Sequence, residues 1–301
     1  MGATDRGNGT EMTAELQMSR QVDPAAQARE ENFPVGSVLL PRGLRPHVAT
    51  FYAFARTADD IADAPDLTAP AKLERLDALE AALINGSDLP ACAVADRLRR
   101  SLLATGVTDT HARDLLAAFR RDARQDRCRD IEQLRDYCRL SASPVGRYLL
   151  DLHGEDRRGH ALSDPLCDAL QIINHLQDCK EDFQRMNRVY LPLDWLQDSG
   201  TDESSLLAGR SSPALRAVLD RCLDLCDTLL EKSRPLPHSL KSARLGAEAA
   251  VIHALARRMA RRLRNRDPLC QRTRLSKPSA LLVSVLAAGR FALTRAFGSR
   301  A

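Results

Sequence analysis

Aromatic side chains make up only 4% of the chain, and Val and Ile are sparse beside Ala, Leu and Arg. The residues that fill pleated surfaces are therefore scarce, and no segment reads as a strand. Unbranched side chains lose little rotamer freedom in a helix, so the composition favours helices. Eight cysteines are present, at 92, 128, 138, 167, 179, 222, 226 and 270, but none forms a CxxC pair. The opening residues lack a long apolar run, so neither a signal peptide nor a membrane anchor is expected there. Reduced cytosolic thiols follow as the expectation, without a disulfide framework or a zinc site. The seven histidines show no HExxH, and there is no GxGxxG loop, so no nicotinamide cofactor is expected. Net charge is only +4, with basic and acidic residues mixed until the C-terminal quarter. Arginines there have no interleaved stacking aromatics, so nucleic acid is not an expected partner. Internal repeats and long linkers are absent as well.

What remains is 301 residues, 44% hydrophobic and 28% charged, enough for one sizeable core. Residues 1–30 are polar and aperiodic and read as a disordered lead-in, with order beginning near Asn32-Phe33-Pro34. Beyond residue 43, apolar residues recur at helical spacing. The pattern predicts helices over about 44–64, 70–84, 91–105, 110–124, 131–140, 144–153, 163–184, 213–231, 240–265 and 278–296. Clusters of Pro, Gly, Asp and Ser mark the breaks. The expected fold is a single all-α domain over residues 31–278.

Two stretches carry chemistry. In the first, Tyr52, Arg56, Asp59 and Asp63 are spaced to share one helical face, with Asp60 at its edge. Like charges one turn apart destabilise a bare helix, and hard divalent cations with oxygen ligands relieve that repulsion. In the second, Gln171, Asn174, Asp178 and Asp182 form a matching stripe. Two such helices face to face suit magnesium ions bridged by a diphosphate, which then leaves more readily. Arg188 and Tyr190 follow in an RVYLP segment, and a guanidinium suits a phosphate oxygen.

These motifs, YxFxRxxDDxxD, QxxNxxxDxxED and RxYLP, together with Leu39-Leu40-Pro41, Tyr137-Cys138 and Val145-Gly146, resemble the squalene and phytoene synthase family in order and spacing. The likeness covers roughly residues 31–278. It implies an all-α isoprenoid synthase fold with a central cavity between antiparallel helices. It implies Mg2+ ligation by Asp59, Asp63, Asp178 and Asp182, with Asp60 beside them. Diphosphate contacts by Arg56 and Arg188 are implied, with Tyr52, Asn174 and Tyr137 in catalytic positions. Phe33, Phe54, Val145, Gly146 and Tyr190 are the implied substrate contacts.

Departures narrow the expectation. Many members that condense two prenyl diphosphates carry Arg before the Asp of the second motif, where this chain has Gln177. One fewer cation fits a smaller diphosphate load. With the ENFPV and NHLQDC segments, the sequence resembles the branch that ionises presqualene diphosphate and captures the cation with water. Alternatives are a head-to-head condensing synthase and a non-catalytic assembly-factor relative, the latter opposed by the intact aspartates. Phe33, Phe54, Tyr137, Tyr148 and Phe183 are candidate aromatic walls for a cation, each equally able to serve as core.

Six arginines lie between 257 and 266, followed by an apolar segment over 279–297. That run is too short and interrupted to expect a membrane span. As a basic amphipathic segment, 279–301 is suited to peripheral contact with the inner membrane surface of a cytoplasmic protein, or to packing on the domain.

Overall fold

Helix starts in this chain are set by short polar side chains and prolines. Asp130 accepts the amide of Gln133 at 2.8 Å, Ser212 that of Leu215 at 3.1 Å, and Ser242 that of Leu245 at 3.3 Å. Each satisfies a donor that the first helical turn leaves open. Ends are set by left-handed residues, Gly106 at φ 70° and Asn187 at φ 53°. A computed structural model of the chain describes residues 39–124, 127–271 and 273–298. The expected lead-in and Phe33 lie outside these residues.

The helices are α1 (Arg45–Asp63), α2 (Ala69–Asn85), α3 (Ala93–Thr105), α4 (Thr110–Asp122), α5 (Ile131–Ser141) and α6 (Ser143–Leu152). They continue as α7 (His160–Met186), α8 (Leu193–Asp198), α9 (Pro213–Ser233), α10 (Leu236–Ser239), α11 (Ala243–Asn265) and α12 (Lys277–Gly298). No strand occurs among the described residues, and the fold is all-α as expected. The ten expected helices are present, whereas α8 and α10 are too short to show a period. α7 begins three residues before the expected 163, with Pro165 inside it, where one backbone bond is lost.

α1 packs on α3 and α4, while α7 runs between α6, α9 and α11. Cysteines serve as core side chains: Cys138, Cys222 and Cys226 are buried, and all eight thiols are free. An isolated parallel bridge joins Arg127 to Val189, with the Cys128 amide donating to Val189 O at 3.1 Å. That bridge carries the RVYLP segment across the end of α4, next to α1.

α12 lies along α11. Its Phe291 is buried against Gly246, where a Cβ would stand 2.6 Å from the Phe291 ring. Arg295 donates to the carbonyls of Leu240 and Lys241 at 3.0 and 2.8 Å. The opposite face is apolar and exposed, through Leu281, Leu282, Val285, Leu286, Leu293 and Phe297. The arginine cluster of 257–266 lies at the end of α11, and the outward face of α12 is apolar. At 21 residues and mean hydropathy 1.5, Lys277–Phe297 also has the length and composition to cross a membrane, contrary to the sequence expectation.

Candidate active site

Helical spacing put Asp59 and Asp63 on one face of α1, and Gln171, Asn174, Asp178 and Asp182 on one face of α7. Both faces line a single cavity of about 150 Å³. Asp122 from the end of α4, Tyr137 from α5, and Met186, Arg188 and Tyr190 complete the wall with His175.

The cavity concentrates negative charge. Burial pushes the Asp59 carboxyl up to about 7, and the Asp63 carboxylate pushes the same way. Asp182 is pushed up to about 8, first by burial, then by Asp178 and Asp63. Asp63 thus acts electrostatically on both acidic stripes. The buried Arg188 guanidinium pairs with Asp63 and donates to Ala62 O at 2.9 Å. Arg56 bridges Asp59 at 3.1 Å and Asp60 at 2.7 Å.

The same wall carries a ring cluster built on Asp122. Tyr137 and Tyr190 donate their hydroxyls to the two oxygens of Asp122, at 2.8 and 3.2 Å. Burial raises Asp122 to about 6, with Arg188 the largest opposing influence. The His175 ring stacks on Tyr190 with centroids 3.7 Å apart, and Tyr137 lies 5.2 Å from Tyr190. Burial, then Arg188, pushes His175 down to about 3, so the imidazole is neutral.

Of the expected site residues, the cavity brings together Asp59, Asp63, Tyr137, Asn174, Asp178, Asp182, Arg188 and Tyr190. Others lie elsewhere. Tyr52 and Arg56 precede the cavity wall on α1, and Asp60 is exposed at its rim with Arg56. Phe54 is fully buried core, so its role as a substrate contact is corrected to packing. Val145 is exposed away from the cavity. Gly146 lets α6 approach α7: a Cβ there would meet Ser163 Oγ at 2.4 Å. Gln177 is buried at 4% exposure, outside the cavity wall, and donates to Thr273 O. The charge-load explanation for Gln177 is corrected accordingly, since the side chain packs toward the segment before α12. Tyr148 stacks on Phe51 at 3.9 Å, and Phe183 lies under Arg127, so neither lines the cavity.

Asp122 and His175 escaped the sequence reading. Asp122 lies 59 positions from Asp63 without any shared period, and His175 sits one step off the polar stripe. Only the stretch containing His175 offered a signal, a polar ring among Ile172, Ile173 and Leu176.

Among the described residues, no three His, Cys, Asp or Glu side chains form a ready metal cage. Ligation by Asp59, Asp60, Asp63, Asp178 and Asp182 is therefore not preformed, and arginines occupy Asp59, Asp60 and Asp63. The donor set nevertheless fits a hard cation. It consists of carboxylate oxygens, and burial together with their mutual repulsion raises Asp59 and Asp182. Magnesium binds through few carboxylates with water and phosphate completing its shell, so it needs no full protein cage.

Comparison with known proteins adds independent evidence. The squalene/phytoene synthase family model matches residues 26–279. Hydroxysqualene synthase of Rhodopseudomonas palustris is 44% identical over 270 residues, covering 90% of this chain and 92% of that protein. Hydroxysqualene synthase of Sinorhizobium fredii is 42% identical over 273 residues, covering 91% and 93%. The crystal structure of squalene synthase HpnC from Alicyclobacillus acidocaldarius superposes with a TM-score of 0.70 at 30% identity, covering 80% of this chain and 92% of that one.

Proposed function

Because the chain belongs to the squalene/phytoene synthase family and is an enzyme of that type, we propose that it is a hydroxysqualene synthase. It converts presqualene diphosphate and water into hydroxysqualene and diphosphate, the bacterial route to squalene that feeds hopanoid synthesis. The observation that carries this reading is the relatives of that name, 40–44% identical over about nine-tenths of the chain. The aspartates of both motifs on one cavity support it.

Asp59, Asp63, Asp178 and Asp182 would hold the magnesium ions, with Asp60 at the rim. Bound magnesium supplies neutralisation of the charge that develops on the leaving diphosphate. Arg188 and Arg56 are poised on the same carboxylates, so incoming phosphate oxygens can draw these guanidiniums to themselves. The ring cluster of Tyr137, Tyr190 and His175 gives the departing carbocation an uncharged, polarisable wall. Aromatic faces are worth about 0.5–2 kcal/mol each to a nearby cation. The exposed apolar face of α12 would rest on the inner membrane surface of a cytoplasmic enzyme, where a C30 lipid substrate and product reside.

Incubation of the protein and Mg2+ with farnesyl diphosphate alone, and separately with presqualene diphosphate, tests the reading. Hydroxysqualene from the second substrate only is the expected result. Efficient turnover of farnesyl diphosphate alone would assign the protein to head-to-head condensation instead. Absence of diphosphate release from either substrate would remove the catalytic reading.

A further inference from the structure

On the reading that Arg188 receives the diphosphate, we propose that Arg127 is its positioning residue, holding the chain on both sides of Arg188. The Arg188 guanidinium pairs with Asp63 and donates to Ala62 O at 2.9 Å. A phosphate oxygen that claims it must draw the side chain away from those partners. The backbone beneath has to stay in place meanwhile, and what holds that backbone lies outside the cavity.

α7 ends in a turn that ties Arg188 to the acidic stripe. Asn187 is left-handed at φ 53° and ψ 33°, and no other non-glycine residue among those described has a positive φ. Most L side chains avoid that conformation, although Asn tolerates it. The Asn187 amide donates to Phe183 O at 3.1 Å, which closes the helix through a left-handed cap. The Arg188 amide then donates to Asp182 O at 3.2 Å. Asp182 and Arg188 thus share one turn, and Asn187 sets the direction in which the chain leaves it.

Arg127 holds this turn from the segment between α4 and α5. Its guanidinium donates to Asn187 O and, at 2.9 Å, to Asn187 Oδ1. Nε and Nη2 donate to the two Glu203 carboxylate oxygens at 2.5 and 2.9 Å. The Phe183 ring lies against the guanidinium, with its centroid 5.4 Å from the central carbon. On the main chain, Arg127 pairs with Val189, and the Cys128 amide donates to Val189 O at 3.1 Å. Arg188 therefore sits between two residues held from the same place, Asn187 by the Arg127 side chain and Val189 by the backbone there. A planar fork of donors spans Asn187 and Glu203 at once, which the point charge of a lysine cannot do. Glu203 also neutralises this second guanidinium behind Arg188.

Arg127 does not line the catalytic cavity, so it acts through Arg188 and not on the substrate. Without the fork, Arg188 keeps its ion pair on a backbone that is no longer fixed. Its guanidinium then meets the phosphate off line, and a misplacement of about 1 Å costs up to about a hundredfold in rate. A residue that only stabilised the fold would lower the melting temperature and leave the affinity of the folded protein unchanged.

A double-mutant cycle separates the two. Calorimetric titration of inorganic diphosphate into full-length protein with saturating Mg2+ gives the affinity, and thermal melting gives the folded fraction. Arg127→Met keeps the stem and removes the donors. Arg127→Lys keeps the charge without the fork, and is the second variant should the first not fold. Either is expected to weaken diphosphate binding by about tenfold, the scale on which partners that orient a ligand act. On an Arg188→Met background the same substitution should cost less than about twofold, because effects that run through one group do not add. Wild-type affinity in a folded Arg127 variant overturns the proposal, as does an equal loss with and without Arg188. If Arg188→Met alone binds diphosphate like wild type, the reading of Arg188 falls and the proposal with it. Failure of the wild-type protein to turn over presqualene diphosphate refutes the reaction instead, and the cycle on diphosphate affinity still decides the role of Arg127.

Discussion

Asp182→Asn is expected to stabilise the metal-free protein while removing its activity. Asp182 titrates near 8, against an ordinary carboxyl value of 3.8, because it is buried and faces Asp178 and Asp63. Below pH 3.8 the carboxyl is protonated in both folded and unfolded chains, and the folded state bears no penalty. As pH rises toward 8, the folded state holds a proton that the unfolded chain has released. Stability then falls by up to about 1.4 kcal/mol per pH unit for that one group. Solvent reaching the cavity screens part of this, leaving an expected gain of about 2 kcal/mol for the neutral amide at pH 7.5. In a chain of 301 residues that corresponds to a melting-temperature increase of about 3 °C. The assay is thermal unfolding by circular dichroism in EDTA at pH 4 and pH 7.5, wild type against variant. The gap should be present at pH 7.5 and nearly closed at pH 4. Added Mg2+ should raise the wild type at pH 7.5 more than the variant. A variant less stable than wild type at pH 7.5 in EDTA, or a gap of equal size at both pH values, would refute the reasoning.

Gln177→Arg should unfold at lower urea concentration by about 3 kcal/mol, since a guanidinium there is buried with a single carbonyl in place of solvent; unchanged stability would mean that the site opens to water. Gly146→Ala should lower stability by about 1–3 kcal/mol through overpacking of α6 on α7, as a thermal melt will show, because its Cβ would fall 2.4 Å from Ser163 Oγ and 2.6 Å from Cys167 Sγ. Replacing Leu282 and Leu286 by Glu on the exposed face of α12 should leave melting unchanged and abolish flotation with anionic vesicles; equal flotation of variant and wild type would exclude that face from membrane contact.

Much of the fold was legible because helices in this chain are long and periodic. The stripe of Tyr52, Arg56, Asp59 and Asp63 needed only 3.6 residues per turn to be seen. The breaks were legible where Pro, Gly, Asp and Ser cluster between helices. α8 was not, because six residues cannot display a period. Phe54 shows the converse limit. An aromatic within a functional motif carries no mark that distinguishes a cavity wall from the core, and burial alone put it in the core.

The sequence by itself determined the all-α architecture and the four aspartates whose repulsion makes the cavity a place for cations. Those are local properties, written in spacing and charge along single helices. Tertiary structure decided which of their neighbours share the cavity. Asp122 reaches the two tyrosines only because α4 ends where the 127–189 bridge brings Tyr190 past it. His175 enters the wall while Gln177, two residues on, turns to Thr273, because helical rotation and the packing of α7 assign each side chain a direction. No spacing in the chain encodes that choice. It comes from which faces of α7 the surrounding helices cover and which they leave open to the cavity.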